Sequence, residues 1–282
     1  MSSSNRSFVA PRTAKPSSPA KTWLALARFG IALLLLSAIL SALVLPWVDL
    51  SWWKTLRRCV SIAAAVSLWW CIKVVERKSF ASYGLGPFRE GKRQLCFGLL
   101  MGVCTLAVMA SLGVACGAYL VSISPDRARL WRTLLGFIPA AGIVGLLEEL
   151  VFRGYLLQHL LSFSRSVAVV ASSALYSLVH VKSPTWTLMS GMELIGLFLL
   201  GLVLSLSTLR TRQVYVAIGL HAALAYGARV NKLVIAVNES SLNWLVGTSR
   251  LINGVVSWVA LLVIAAVIVG CSRSLRRGGG TA

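Results

Sequence analysis

Apolar runs of about twenty residues recur along the whole chain. A helix of this length crosses the roughly 30 Å hydrocarbon core of a bilayer. Only 13% of the 282 residues are charged, against about a quarter in soluble domains. We therefore predict an all-α polytopic membrane protein with about eight transmembrane helices. The predicted spans are residues 24–47, 58–75, 95–122, 133–160, 166–181, 187–209, 213–236 and 252–271.

This pattern divides the chain into four segments. Residues 1–22 are rich in Ser, Pro, Lys and Arg and have no apolar period, which predicts a disordered basic arm on the cytoplasmic side. Residues 23–75 hold two N-terminal transmembrane helices, residues 76–272 form the membrane core, and residues 273–282 form a basic tail. The first run is too long for the apolar part of a signal peptide, so we expect an uncleaved anchor.

The net charge of +20 is the second strong feature of the chain. Its basic residues lie mainly in short loops between apolar runs, a placement that orients a membrane protein and argues against nucleic-acid binding. More of them lie in the segments that a cytoplasmic N-terminus would place inside, which predicts that both termini are cytoplasmic. The expected partner of these loops is anionic lipid. We expect an integral multi-pass protein of a bacterial cytoplasmic (inner) membrane.

The stretch GLLEELVFRG, residues 145–154, places two acids and a base inside an apolar run. An acid at the bilayer centre costs about 2.5–3.5 kcal/mol, so such residues normally face a protein interior and mark function. Adjacent helical residues point about 100° apart, so Glu148 and Glu149 cannot do the same job. Glu149 precedes Arg153 by four residues, the favourable order for an ion pair. Glu148 needs a partner from another helix, or becomes protonated.

The chain has three histidines, and two of them lie deep in later apolar runs. His180 comes one turn after Tyr176 in ASSALYSLVHV, and His221 lies in YVAIGLHAALAYG. His159 lies at the predicted cytoplasmic end of the apolar run that contains Glu148 and Glu149, which is an interfacial position. A lone buried histidine is usually structural. Together with the acids, however, the two can form a polar site, because a carboxylate and an imidazole can share a water while another imidazole donates to an oxyanion. We predict that the helices enclose such an intramembrane site.

These motifs resemble those of the CAAX-protease and bacteriocin-processing family, intramembrane glutamic peptidases related to the Ras-converting CAAX endopeptidase. EELVFRG is similar to the family's EExxxR signature. Tyr176 to His180 resembles its FxxxH motif, with Tyr in place of Phe, and His221 aligns with its HxxxN or HxxxD motif. The resemblance covers about residues 76–270, and it implies that the membrane core is CAAX-protease-like.

The resemblance also implies a role for each residue. Glu148 would be the general base on the attacking water, with His180 assisting it, and His221 would stabilise the tetrahedral intermediate. The residues that would organise the site are Glu149, Arg153 and Tyr176. The chain would then be a membrane-embedded CAAX-type endopeptidase that uses no cofactor.

Zinc is the alternative cofactor. Glu148, His180 and His221 have the right ligand types for zinc. The chain nevertheless lacks an HExxH motif, and its six cysteines form no CxxC pair. We therefore expect no metal, and the same three residues would be the ligands if the enzyme were metal-dependent.

One position departs from the family pattern. Where the third motif has Asn or Asp, this chain has Ala225. In the family that polar side chain is thought to help hold the oxyanion, and removing one such donor costs about 10²–10³ in rate. The candidates to replace it are Tyr226 and Asn231. Without a replacement, the chain would be a slow or inactive member of the family.

Three functions stay open at this point. The first is an intramembrane endopeptidase that cuts a membrane-tethered or exported protein or peptide. The second is a catalytically weak or inactive member that acts in immunity or binding, which Ala225 motivates. The third is a proton-coupled transporter, because intramembrane acids and histidines also form proton relays. No pair of repeats with interrupted helices supports the transporter, and no oligomeric state is predicted.

Overall fold

The computed structural model describes residues 18–181, 187–238, 242–248 and 252–277. Most of this part is helical, and two of the helices continue into wider π turns. In chain order the elements are α1 (Pro19–Val44), a 3₁₀ turn (Leu45–Trp47), α2 (Trp52–Trp69) with a π turn (Trp70–Val75), a 3₁₀ turn (Phe80–Tyr83), α3 (Phe88–Ala115), β1 (Tyr119–Val121), α4 (Arg127–Glu149) with a π turn (Leu150–Leu156), α5 (Leu157–Leu160), α6 (Arg165–Leu178), α7 (Leu188–Thr211), α8 (Tyr215–Val234), β2 (Ile235–Val237), α9 (Asn243–Val246) and α10 (Val255–Arg277).

Among the described residues, six helical segments are long and apolar enough to cross a membrane. The prediction of a helical polytopic membrane protein is confirmed, but the count of eight is not. α6 has only 14 residues, fewer than a span requires, and α8 carries several polar side chains along its length. The six segments are Pro19–Trp47, Trp52–Val75, Phe80–Ala115, Arg127–Leu160, Leu188–Thr211 and Val255–Leu275.

Helix extends into both terminal segments. α1 begins at Pro19, inside the predicted arm, and proline suits the first turn of a helix because its missing N–H would have no helical partner there. α10 continues to Arg277, inside the predicted tail. The rest of the arm, residues 1–17, and the rest of the tail, residues 278–282, lie outside the described residues.

α8 lies at the centre of the bundle, in contact with α3, α4 and α7. Its first half, residues 215–223, is entirely buried. Glycines bring α3 against it: a Cβ added at Gly98 or at Gly219 would overlap the backbone of the other helix. Small residues at such contacts are how membrane helices approach closely. His221 therefore sits next to one of the tightest helix contacts in the described part of the chain.

A two-stranded antiparallel sheet joins the ends of α3 and α8, where β1 pairs with β2. The Tyr119 hydroxyl of β1 donates to the carbonyls of Val246 (2.8 Å) and Gly247 (3.0 Å). The predicted helical spans 95–122 and 213–236 are therefore wrong at their last residues. Short runs of aromatic and β-branched residues suit a strand as well as a helix, so periodicity alone could not separate the two.

The opposite end of the bundle, which we call the Glu76 end, is stabilised by the side-chain carboxylate of Glu76. The Glu76 carboxylate accepts hydrogen bonds from Lys78 (2.8 Å), His159 (3.1 Å) and Tyr83. Burial raises the pKa of Glu76, but these hydrogen bonds outweigh burial and hold the pKa well below its usual range. The connection between α2 and α3 is thus fastened to α5 by an ionised carboxylate.

Replacing Gly219 by valine should separate α3 from α8. The new Cβ would collide with the carbonyl oxygen of Leu95, and backbone cannot move aside as a flexible side chain can. Overpacking of this kind costs about 1–3 kcal/mol or more, so we expect a lower thermal unfolding temperature of the detergent-solubilised protein. The matched control is Gly136→Val on α4, where a Cβ meets nothing within 4 Å. Equal unfolding temperatures for the two variants would contradict the tight contact.

Candidate active site

Glu148 and Glu149 end α4, at the point where the helix widens into the π turn Leu150–Leu156. Such turns are rare and are frequent at functional sites. Within this turn the carbonyl of Phe152 accepts a hydrogen bond from Oγ of Ser172 on α6, at 3.0 Å. The widened turn therefore holds α6 beside the two acids.

Glu149 is the buried partner of Arg153. Its Oε1 lies 3.0 Å from Nη1 of Arg153, and both side chains are fully enclosed, so the ion pair predicted from their spacing is confirmed. Arg153 also donates through Nη2 to the Gly201 carbonyl of α7 (3.3 Å), and its Cζ lies 4.4 Å from the centre of the Tyr176 ring. One charge pair thus joins α4 to α6 and α7.

His221 of α8 completes this buried network, which consists of Glu149, Arg153 and His221. Its Nδ1 lies 2.8 Å from the same Oε1 of Glu149. An ionised carboxylate can only accept, so Nδ1 carries a proton and donates it. The negative charge of Glu149 also favours a second proton on the ring, at Nε2. Glu149 therefore sets the orientation of His221.

Glu148 is the accessible member of the acidic pair, since its side chain is 31% exposed and that of Glu149 is 0% exposed. Its Oε2 lies 3.7 Å from Nε2 of His180 and 3.7 Å from Nε2 of His221. The structure brings the three residues together beside the buried network. These distances exceed a direct hydrogen bond. The chemical roles of the three stay predictions.

The orientation of His180 comes from the backbone. Its Nδ1 lies 2.7 Å from the carbonyl oxygen of Tyr176. A carbonyl oxygen can only accept, so Nδ1 of His180 is the donor. Glu148 Oε2 faces His180 Nε2 across 3.7 Å and is enclosed without a hydrogen-bond partner among the described residues.

The Tyr176 ring packs against the imidazoles of both His180 and His221. Its ring centre lies 4.7 Å from that of His180 and 5.8 Å from that of His221, the latter in a nearly perpendicular arrangement. With Arg153 over its face, the ring is enclosed by three of the predicted site residues. The side chain is 1% exposed, so its position is fixed by packing.

Neither candidate replacement for the missing Asn or Asp reaches the site. The Tyr226 hydroxyl donates to the carbonyl of Leu134 at 2.9 Å, and Leu134 lies roughly 21 Å along α4 from the acidic pair. Asn231 lies about 15 Å along α8 beyond His221. Both residues line an apolar groove of about 950 Å³ between α3, α4 and α8. The interpretation of Tyr226 or Asn231 as a substitute is therefore wrong, and Ala225 itself offers only a methyl group.

Two residues at the site were missed in the sequence. Gly201 accepts from Arg153 through its carbonyl, which every residue type carries, so its identity gives no signal. Ser172 is one of many serines in apolar runs, and nothing in its neighbours indicates the contact with Phe152. Both contacts depend on how the helices are rotated against one another.

The described residues contain no group of three His, Cys, Asp or Glu side chains that could hold a metal ion. Glu148, His180 and His221 supply ligand types that suit zinc, but they are not such a group as placed. The expectation of a cofactor-free site stays a prediction.

Residues 130–226 match the family model of the Rce1-like type II CAAX prenyl endopeptidases. This segment is similar to the Rce1-like CAAX endopeptidases. The Rce1-like segment runs from α4 into α8 and holds every residue of the site just described. The family resemblance predicted from the sequence is confirmed, and it supports a peptidase-type function in a multi-pass membrane protein. No curated protein matches the chain in sequence.

Replacing Arg153 by methionine should destabilise the Rce1-like segment strongly. Methionine fills a similar volume but leaves the Glu149 carboxylate enclosed without its main cation, which costs about 3–5 kcal/mol. The matched control is Arg89→Met, an exposed arginine in the first turn of α3, where we expect less than about 0.5 kcal/mol. Unfolding of both variants in detergent measures the difference, and equal stability would contradict a structural role for the buried pair.

Proposed function

We propose that the chain is an intramembrane endopeptidase that hydrolyses a peptide bond in a membrane-associated or exported protein, with a water activated by Glu148. One observation carries the proposal: Glu148 Oε2 lies 3.7 Å from Nε2 of both His180 and His221. The Rce1-like segment supports the peptidase class. The accessible acid supplies chemistry, and the buried acid next to it holds the site in shape.

Glu148 and His180 act on the water together. A water whose hydrogens point to Glu148 and His180 keeps an oxygen lone pair free to attack. Glu148 takes the proton as the oxygen bonds to the substrate carbonyl carbon, and the carbonyl π electrons move to its oxygen. General base catalysis of this kind contributes about 10²–10⁴ in rate.

The charges of the site are balanced for this step. Arg153 and a protonated His221 offset the carboxylates of Glu149 and Glu148. When Glu148 accepts the proton, its negative charge passes to the oxyanion, which Nε2–H of His221 can stabilise as a fixed donor in a water-poor site. The acid form of Glu148 then protonates the leaving nitrogen as the carbon–nitrogen bond breaks, and the carboxylate is restored. No metal or other cofactor is needed in this scheme.

The site lies nearer to the Glu76 end, since Tyr215 to His221 spans roughly 9 Å of helix. That end also carries exposed basic residues, among them Arg77, Arg89 and Lys92. By the positive-inside rule we place it, and both chain termini, on the cytoplasmic side of a bacterial inner membrane. The substrate would then be a membrane-tethered protein or peptide reached from the cytoplasmic leaflet, with anionic lipid against the basic loops.

Ala225 favours a second candidate function. If the oxyanion had only His221 as a donor, the protein would be a slow or inactive family member that acts in immunity or binding. The geometry around Glu148 argues for the enzyme, because an inactive relative would have no need to keep two oriented imidazoles beside an accessible acid.

Glu148→Gln should abolish cleavage while leaving the fold intact, because the amide cannot accept the water's proton. Purified protein in liposomes would be given a fluorophore–quencher peptide bearing a farnesylated CAAX end and, separately, lipid-anchored peptides without it. We expect the rate of product formation to fall by at least about 10²-fold. The matched control is Glu90→Gln, the same change in the first turn of α3. Equal cleavage by wild type and Glu148→Gln would exclude the mechanism.

A further inference from the structure

Two departures from the family motifs lie within one site. The third motif loses a polar side chain at Ala225, and the second motif gains a hydroxyl at Tyr176, where the family pattern has phenylalanine. Ala225 is one turn beyond His221 on α8, and the Tyr176 ring packs edge-on against the His221 ring, 5.8 Å between centres. A donor is missing next to one face of His221, and a new donor stands next to the same histidine.

The Tyr176 hydroxyl is free to act as this donor. The side chain is 1% exposed, and no hydrogen bond among the described residues uses its hydroxyl. The oxygen is not among the fully enclosed polar atoms that lack a partner in the described part of the chain, so a small part of its surface stays accessible. The charges within electrostatic reach of it are those of Glu148, Arg153 and Glu149.

Burial without a partner makes this hydroxyl costly unless something binds it. A hydroxyl in an apolar environment is destabilising when its hydrogen bond is unmade. Other phenol groups in the same helices have found acceptors: Tyr215 donates to the Gly86 carbonyl and Tyr226 to the Leu134 carbonyl. Tyr176 has no such acceptor among the described residues, and its neighbours are the groups to which the proposed function assigns the reaction.

We infer that the hydroxyl of Tyr176 donates a hydrogen bond to the substrate oxyanion and so replaces the Asn or Asp that Ala225 cannot supply. The inference rests on the proposed function. As the water oxygen bonds to the carbonyl carbon, the carbonyl electron pair moves to oxygen, and this oxygen accepts from Tyr176 O–H and from His221 Nε2–H. The tyrosine keeps its proton throughout. When the carbon–nitrogen bond breaks, the electron pair returns and the leaving nitrogen takes its proton from Glu148.

The test is Tyr176→Phe, alone and combined with Ala225→Asn, in liposomes with the quenched peptide. Phenylalanine keeps the ring contacts with Arg153 and both histidines and removes one oxygen. We expect kcat to fall by about 10²-fold with KM little changed. Ala225→Asn should restore most of this loss, because it returns a donor one turn from His221. A merely structural role for Tyr176 would not be rescued in this way.

Tyr226→Phe is the matched control, since it removes a phenol oxygen that is bonded elsewhere, and it should leave kcat unchanged. Unchanged kcat in Tyr176→Phe, with Glu148→Gln inactive, would overturn the inference and leave the proposed function standing. Binding of a phosphinate peptide, whose charged oxygen mimics the intermediate, gives a second measurement. Weaker binding by Tyr176→Phe than by wild type supports the inference even if turnover is too slow to follow. A wild type that neither cleaves nor binds the phosphinate overturns both.

Discussion

A carboxylate enclosed within a membrane protein persists only if donors and cations meet it, and Glu149 is met by the Arg153 guanidinium and by the Nδ1–H of His221. Arg153 needs further contacts of its own and finds them in the Gly201 carbonyl and the Tyr176 ring. Apolar helix surfaces in lipid have little reason to prefer one rotation over another, whereas these polar contacts accept only one. A single buried charge therefore fixes how α4, α6, α7 and α8 face one another.

That arrangement explains why two adjacent acids can have opposite fates. Glu149 is fully buried and pairs with Arg153. Glu148, one residue earlier on the helix, has a partly exposed side chain. His221 touches both and links them, through Nδ1 to the enclosed acid and through Nε2 toward the open one. The fully enclosed Glu149 thus orients the histidine that faces Glu148.

The sequence was informative where interactions are local and silent where they depend on helix rotation. Glu149 and Arg153 are four residues apart, so their pairing followed from helix geometry alone. The meeting of Glu148 with two distant histidines could be expected because a membrane offers buried polar groups few other partners. The prediction that Tyr226 replaces the missing donor was wrong because adjacent helical residues point about 100° apart. Tyr226 therefore faces the apolar groove, although it directly follows Ala225. The pairing of Glu76 with His159 closes a long stretch of chain, and no pattern marks it.

The π turn after Glu149 also affects the direction of His159, which follows it in the same continuous helical segment. One extra residue in a helical turn rotates everything beyond it by roughly 100° relative to a regular helix. Glu149 before the turn faces its cations in the interior, and His159 after the turn faces Glu76. Without the extra residue, we expect either Glu149 or His159 to face its present partners, but not both. The π turn thus changes the rotation of the helix, so that Glu149 and His159 each face their own partners.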